Sequence, residues 1–233
     1  MNEHALLEVR RDPGRWQSVL RELQREIIFG TLRPRERLVE DEVIARLDAT
    51  RHAVRRAFAE LEHVGLVVRL PNRGVQVRDY TLKEVEELYE IRALLEGKAA
   101  RRMQLPVPDE LLAQLGSLAR AHEEASRQER YLDIFQLNNQ FHETLYAHCG
   151  NGQLAEAIKS YTFATHPIRS RGFPDTELRR LAVEEHRQIL DALAGSDTER
   201  LAALCVAHIQ RPKEFYLRAN SLLARTSPER LHP

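Results

Sequence analysis

Apolar residues recur at helical spacing from Trp16 through Val19, Leu20, Leu23, Ile27 and Ile28, and Gly30 supplies a stop, which predicts a first helix. A linker, Thr31-Leu32-Arg33-Pro34, leads to a short helix over about 40–47 with Val43, Ile44 and Leu47 on one side. Asp48-Ala49 makes a turn, and Thr50 is placed to cap a further helix running to His63. The inner face of that helix is Val54, Ala57, Phe58 and Leu61, and Gly65 ends it. The period then switches. Leu66–Leu70 and Val75–Arg78 alternate and are rich in β-branched residues, and Pro71-Asn72-Arg73-Gly74 between them reads as the turn of a hairpin. Helix, helix, turn, helix and hairpin is the order of a winged helix-turn-helix.

Beyond Asp79-Tyr80-Thr81 the pattern is helical nearly to the end. Helices are expected at about 82–104, 108–127, 130–149, 151–163, 176–194 and 197–224, broken at Pro106/Pro108, Gly150-Asn151-Gly152, Gly172-Phe173-Pro174 and Gly195-Ser196. Pro212 is expected to kink or divide the last helix, because it lacks an N–H and clashes with the carbonyl of His208. The expected fold class is mainly α: an N-terminal winged helix-turn-helix with a small β-hairpin wing, then an all-α helical-bundle ligand-binding domain. The boundaries are a loose tail over 1–13, the winged helix over 14–79, the helical domain over 80–224 and a second tail over 225–233.

Composition narrows the class. The chain of 233 residues is 42% hydrophobic and 30% charged, as for an ordinary globular protein. No apolar run approaches the roughly eighteen residues a transmembrane helix needs, and the opening Met1–Glu8 is acidic rather than signal-like. Cys149 and Cys205 lack metal-ligand spacing and suit a reducing cytoplasm. The formal net charge is zero, so any affinity for nucleic acid must be local. From Arg51 to Arg78 six Arg face only two acids, Glu60 and Glu62, while Glu40, Asp41, Glu42 and Asp48 lie just before. A neutral chain can therefore carry a basic face in its first third.

With Val54, Ala57, Phe58 and Leu61 turned inward, Arg51, His52 and Arg55 fall on the outward N-terminal part of their helix, the part of a recognition helix that meets base edges. Arginine suits this because its guanidinium bonds both major-groove acceptors of guanine. Arg73 at the hairpin tip can reach a neighbouring minor groove or phosphate. The segment Leu20–Val77 resembles the winged helix of the GntR family. The family pattern is matched by Pro34, Leu38 with Glu40, Thr50-Arg51, Gly65-Leu66-Val67 and Arg73-Gly74. The resemblance implies DNA contacts from Arg51 and Arg55 first, then Thr50, His52 and Arg73. Three departures stand out: Arg35 replaces the usual Gly, His52-Ala53 a usual Thr-Pro, and Arg56 a common Glu. The extra Arg bears on operator preference, so no family operator sequence carries over.

The helical domain holds a second constellation. Phe135, Asn138, His142, Leu145 and Cys149 form one stripe, Ala182, His186, Ile189 and Leu193 another, and Leu201, Leu204, Cys205 and His208 a third. Three histidines on apolar stripes need partners, since burying an unpaired polar ring costs about 1–3 kcal/mol. Either each is a core histidine satisfied on its own, or they share a metal ion, for which neutral imidazoles are good ligands. Arg92, with Leu88, Leu95 and Ala99 around it, is likewise open to two readings: an internal salt bridge to Glu96, four residues on, or a clamp for a carboxylate.

The stretches "ELYEIRALLEGKAARRM", "NNQFHETLYAHCGN" and "EEHRQILDALAGSDTERLAALCVAHI", within about 80–222, resemble the FCD domain of one GntR branch. That resemblance implies Asn138, His142, His186 and His208 as ligands of a divalent transition metal such as Zn or Ni, with Asn138 a weaker ligand than the Asp usual there. It also implies a small carboxylate effector. The function expected is a cytoplasmic, non-enzymatic, homodimeric regulator, a repressor, on an inverted-repeat operator. The rival is a metal-dependent enzyme using the three histidines, against which the chain lacks His-Glu-x-x-His, a phosphate loop and a Gly-x-Ser-x-Gly turn. Glu143 and Glu185 adjoin site histidines but are expected on other helix faces.

Overall fold

The computed structural model describes residues 14–70 and 74–226. The expected tails over 1–13 and after residue 226, and the hairpin tip with Arg73, lie outside the described residues. The chain divides into two compact units, 1–79 and 80–233.

The first unit contains α1 (Arg15–Ile28), β1 (Arg37–Leu38), α2 (Glu40–Leu47), α3 (Arg51–His63), β2 (Val67–Leu70) and β3 (Gly74–Val77). Val19, Leu23 and Ile27 of α1 are buried at a four-residue spacing, and α1 packs on α3, which buries Val54, Ala57, Phe58 and Leu61. Thr50 caps α3, its side chain accepting from the Ala53 amide at 3.2 Å. Gly65, at φ +76°, turns the chain out of α3 into β2, a left-handed step that glycine takes without steric cost. β2 and β3 pair antiparallel with Val67 opposite Val77 and Leu70 opposite Gly74.

The sequence pattern did not disclose β1. It pairs with β3, Arg37 opposite Gln76, so the sheet has three strands in the order β1-β3-β2. Just before β1, Arg35 sits at φ +67° and its amide donates to the Val77 carbonyl at 3.0 Å. The glycine usual at this family position thus has a physical reason, and Arg35 offsets part of its cost through an ion pair with Asp79 at 2.6 Å.

The second unit is all helix: α4 (Leu82–Arg101), α5 (Asp109–Arg127), α6 (Tyr131–Ala147), α7 (Gly152–Ala164), α8 (His166–Ser170), α9 (Thr176–Leu193) and α10 (Thr198–Thr226). Thr81 and Glu84 form a reciprocal capping box at the start of α4. Leu115, Phe141, Leu145, Ile189, Leu193 and Leu201, all fully buried, bring α5, α6, α9 and α10 around one core. A second cluster joins Val85 and Tyr89 of α4 to Ile168 and Ile209. The five-residue α8 was not anticipated. Pro212 does not divide the last helix: α10 runs on through it, because packing against α4, α8 and α9 outweighs one lost backbone hydrogen bond. Cys149 and Cys205 are free buried thiols, and burial pushes Cys205 up to about 12. No described helix is long and apolar enough to cross a membrane.

Candidate DNA-binding face and histidine cluster

Burial of the apolar side of α3 leaves Arg51, His52, Arg55 and Arg56 exposed. Two of these arginines are held by the acidic first turn of α2. Arg51 donates from its two terminal nitrogens to Glu40 Oε1 and Asp41 Oδ1, each at 2.7 Å, and Arg55 Nε donates to Glu40 Oε2 at 2.9 Å. The hydrogen bond from Arg55 holds the Glu40 carboxyl below the usual carboxylate range. Arg56 takes another course: its guanidinium lies 3.9 Å over the Trp16 ring of α1. Arg56, which stands where the family commonly has Glu, is therefore drawn into packing between α1 and α3. Thr50, at the head of α3, keeps its hydroxyl proton free to donate while its oxygen serves as the cap. A groove of about 530 Å³ runs beside these groups, rimmed by Arg37, Glu40, Arg55 and Arg69.

In the helical unit, α6, α9 and α10 bring His142, His186 and His208 together, all buried. His142 Nε2 lies 3.1 Å from His208 Nε2 and 3.4 Å from His186 Nε2. Among the described residues these three make the one group of His, Cys, Asp or Glu side chains gathered closely enough, within 4.8 Å, to share an ion. Asn138, one turn earlier on α6, is buried on the same face, and its Nδ2 has no protein partner.

Burial holds His142 and His186 well below the usual histidine range, so both rings are neutral at pH 7. The tautomer of His208 follows from Glu185, which accepts from Nδ1 at 2.8 Å. Burial alone would raise the Glu185 carboxyl; the hydrogen bonds from His208 and Arg211 hold it below its ordinary value. With Nδ1 turned to Glu185, His208 presents Nε2 to the cluster. A cation seated among the three histidines would draw on all three rings at once. Metal–imidazole bonds of about 2.0–2.1 Å place two nitrogens on one ion roughly 3.0–3.4 Å apart, the spacing that His142 keeps to His208 and to His186. Glu185 corrects the sequence expectation, since it reaches the site through His208 rather than facing away. Glu143 pairs instead with Lys159, at 3.7 Å.

Beside the cluster lies a cavity of about 60 Å³, lined among others by Asn138, Glu185, His208, His122, Ser126 and Arg169. Arg92 is not among its lining residues. Its Nε and Nη2 bind Glu96 Oε1 at 2.9 and 2.8 Å, its Nη1 donates to Thr165 Oγ1, and Tyr146 closes the network on Glu96 Oε2. Of the two readings the sequence left open, the structure has the internal salt bridge. Arg169 is the contrasting case. It donates to Asn139 Oδ1 at 2.6 Å and stacks on Phe135, its Nε is enclosed without a protein partner, and no carboxylate pairs with it among the described residues. Burial pushes it down to about 10, which leaves it charged at pH 7. His122 continues the α5 stripe of Leu111, Leu115 and Ala119, so the criterion that singled out the other histidines reaches it too.

Family models match both units: "Bacterial regulatory proteins, gntR family" over residues 16–77 and "FCD domain" over residues 87–211. The chain belongs to the GntR family, in its FCD branch. It is 30% identical over 179 residues to the Nta operon transcriptional regulator of Aminobacter aminovorans, covering 77% of this chain and 83% of that protein. It is 27% identical to the HTH-type transcriptional repressor RspR of Escherichia coli K12, covering 85% and 87%. A solved structure described as a transcriptional regulator GntR from Rhodococcus sp. RHA1 superposes with a TM-score of 0.73 at 26% identity, over 88% of this chain and 99% of that one. This GntR–FCD chain is accordingly a DNA-binding transcriptional regulator.

Proposed function

We propose that this GntR–FCD regulator is a repressor whose hold on its operator is set by a small carboxylate bound beside a divalent metal ion. The observation that carries the reading is the convergence of three buried histidines from α6, α9 and α10, with His142 Nε2 at 3.1 and 3.4 Å from the Nε2 atoms of His208 and His186. His142, His186 and His208 would hold the ion, with Asn138 one turn away as the fourth ligand. Zinc or nickel suits such a nitrogen-rich set. The ion supplies a Lewis-acidic anchor for an acid, and Arg169, in the place the sequence analysis gave to Arg92, supplies the second point of attachment.

In the first unit, Arg51 and Arg55 read the operator, with Thr50 and His52 beside them and Arg73 from the wing. A two-fold dimer presents two such faces to an inverted repeat. Ligand and operator compete for one conformational equilibrium, so each must change the affinity of the other by the same factor. The test is a gel shift on the DNA upstream of the chain's own coding region, at fixed salt, with Arg51→Ala as control and with metal-loaded and chelated protein. Retardation that the variant loses and that organic acids modulate only in the metal-loaded state is the expected result. Metal content of zero after purification in metal-supplemented medium would overturn the metal reading.

A further inference from the structure

The groove between the sheet and α3 in the first unit carries more cation than the base-reading arginines account for. Its floor is apolar, with Leu38 of β1, Phe58 of α3 and Val75 of β3 all buried, and its rim holds Arg37, Arg55 and Arg69. These three arginines differ in what already holds them. Arg55 donates to Glu40 at 2.9 Å, and Arg69 of β2 donates to Glu62 of α3 at 3.2 Å. Arg37, exposed on β1, has no ion pair among the described residues. Its Nε lies 4.0 Å from the point where a Cβ on Gly74 would stand, so the side chain leans along the sheet towards the root of the wing. A recognition helix in a major groove has a row of phosphates on each flank, and this groove lies along one flank of α3. A guanidinium that must give up a carboxylate to reach a phosphate gains little net attraction. An unpaired one gains in full, because its arrival releases a counterion from the duplex.

We infer that Arg37 is a phosphate contact, and that one phosphate of the bound duplex seats in this groove against its guanidinium. The inference goes beyond the base-reading role of Arg51 and Arg55 and gives β1, a strand of two residues, a part in binding. Every base pair carries the same phosphates, so the contact adds affinity and fixes register without sequence preference. Arg69 stays with Glu62 and is the lesser partner of the same seat.

The experiment is fluorescence anisotropy of the full chain across a salt series, on the duplex upstream of its own coding region and on an unrelated duplex of equal length. Arg37→Gln should weaken binding to both by a similar factor, about three- to tenfold at low salt. The slope of log affinity against log salt should become shallower by about 0.9, the share of one phosphate. Arg37→Lys keeps the charge and should keep the slope. Arg200→Gln removes one exposed cation from the helical unit, and as the control for net charge it should leave the slope unchanged. Arg37→Gln breaks no ion pair, so its thermal midpoint should match the parent, which separates a lost contact from lost folding. A slope that Arg37→Gln leaves untouched, or that Arg200→Gln lowers equally, overturns the phosphate contact. So does a selective loss on the upstream duplex, which would make Arg37 a reader of sequence. The slope on the unrelated duplex decides the matter even where the upstream duplex shows no preference. Arg51→Ala tests the base reading separately, and its outcome leaves the phosphate contact standing or falling on its own.

Discussion

Glu185 accepts a hydrogen bond from His208 Nδ1 at 2.8 Å, and this contact decides which nitrogen of His208 faces the cluster. A carboxylate behind a histidine fixes its tautomer and raises its basicity. Glu185→Gln should therefore weaken metal binding by about 10–100-fold with little change in fold. Competition against a chromophoric chelator measures it. Unchanged affinity would show that Glu185 serves only the ion pair with Arg211.

Glu40 occupies the guanidinium groups of both Arg51 and Arg55, the same groups a phosphate or a guanine would engage. Removing its charge leaves the arginines free for any polyanion. Glu40→Gln should bind an unrelated duplex several-fold more tightly at low salt, with a steeper salt dependence, and the preference for operator over unrelated DNA should fall. Fluorescence anisotropy with both duplexes reads the ratio. A variant that weakens on both would make Glu40 a support for the arginines rather than a competitor.

Arg92 and Glu96 form a buried pair, at 5% and 1% exposure. Removing one partner strands the other charge, so Arg92→Ala should cost about 3–5 kcal/mol of stability. Replacing both by Met should cost much less than the single change. Urea titrations of the three proteins compare the costs. If Arg92→Ala abolished acid binding at unchanged stability, Arg92 and not Arg169 would be the anion anchor.

Burial holds His142, His166 and His186 well below the histidine range and brings His122 down to about 4. In the unfolded chain these rings protonate near pH 6.5. Below about pH 6.5 the unfolded state therefore binds more protons than the folded one, and stability falls with pH until the folded-state values are reached. Each ring contributes up to about 1.4 kcal/mol per pH unit over that window. Denaturant midpoints of chelated protein from about pH 7.5 down to about pH 5 should drop continuously below about pH 6.5. A flat profile would mean that the rings take up protons without unfolding.

Arg35 at φ +67° carries a left-handed backbone cost that glycine avoids. Its ion pair with Asp79 is largely exposed and worth little. Arg35→Gly should raise the stability of the first unit by about 1 kcal/mol, read as a later unfolding transition. An earlier transition would make the Asp79 pair the larger contribution.

The sequence disclosed the long elements because their apolar periods are uninterrupted. The stripes through Val19, Leu23 and Ile27 and through Phe141 and Leu145 are buried where the spacing puts them. It concealed β1, whose two residues are too few to show a period and which exists only by pairing with β3. The three cluster histidines were legible because each lies on an apolar stripe of its own helix. Glu185 was not, since its partner His208 is on another helix and the relation is one of packing, not spacing. Arg92 shows the converse limit: a polar residue on an inward stripe announces burial, but which group it meets there is settled by Glu96 and Thr165.

His142 and His186 are 44 residues apart in the chain, and His142 and His208 are 66 apart, yet their ring nitrogens nearly touch. Any ion seated among them would act as a clasp across α6, α9 and α10, closing two long loops that no covalent bond closes. Such a clasp restricts the unfolded chain far more than it alters the folded one, and it exists only while free metal is supplied. The helical unit would then answer to two chemical supplies in the cell, with metal governing how firmly the sensor is assembled and the acid governing what it reports.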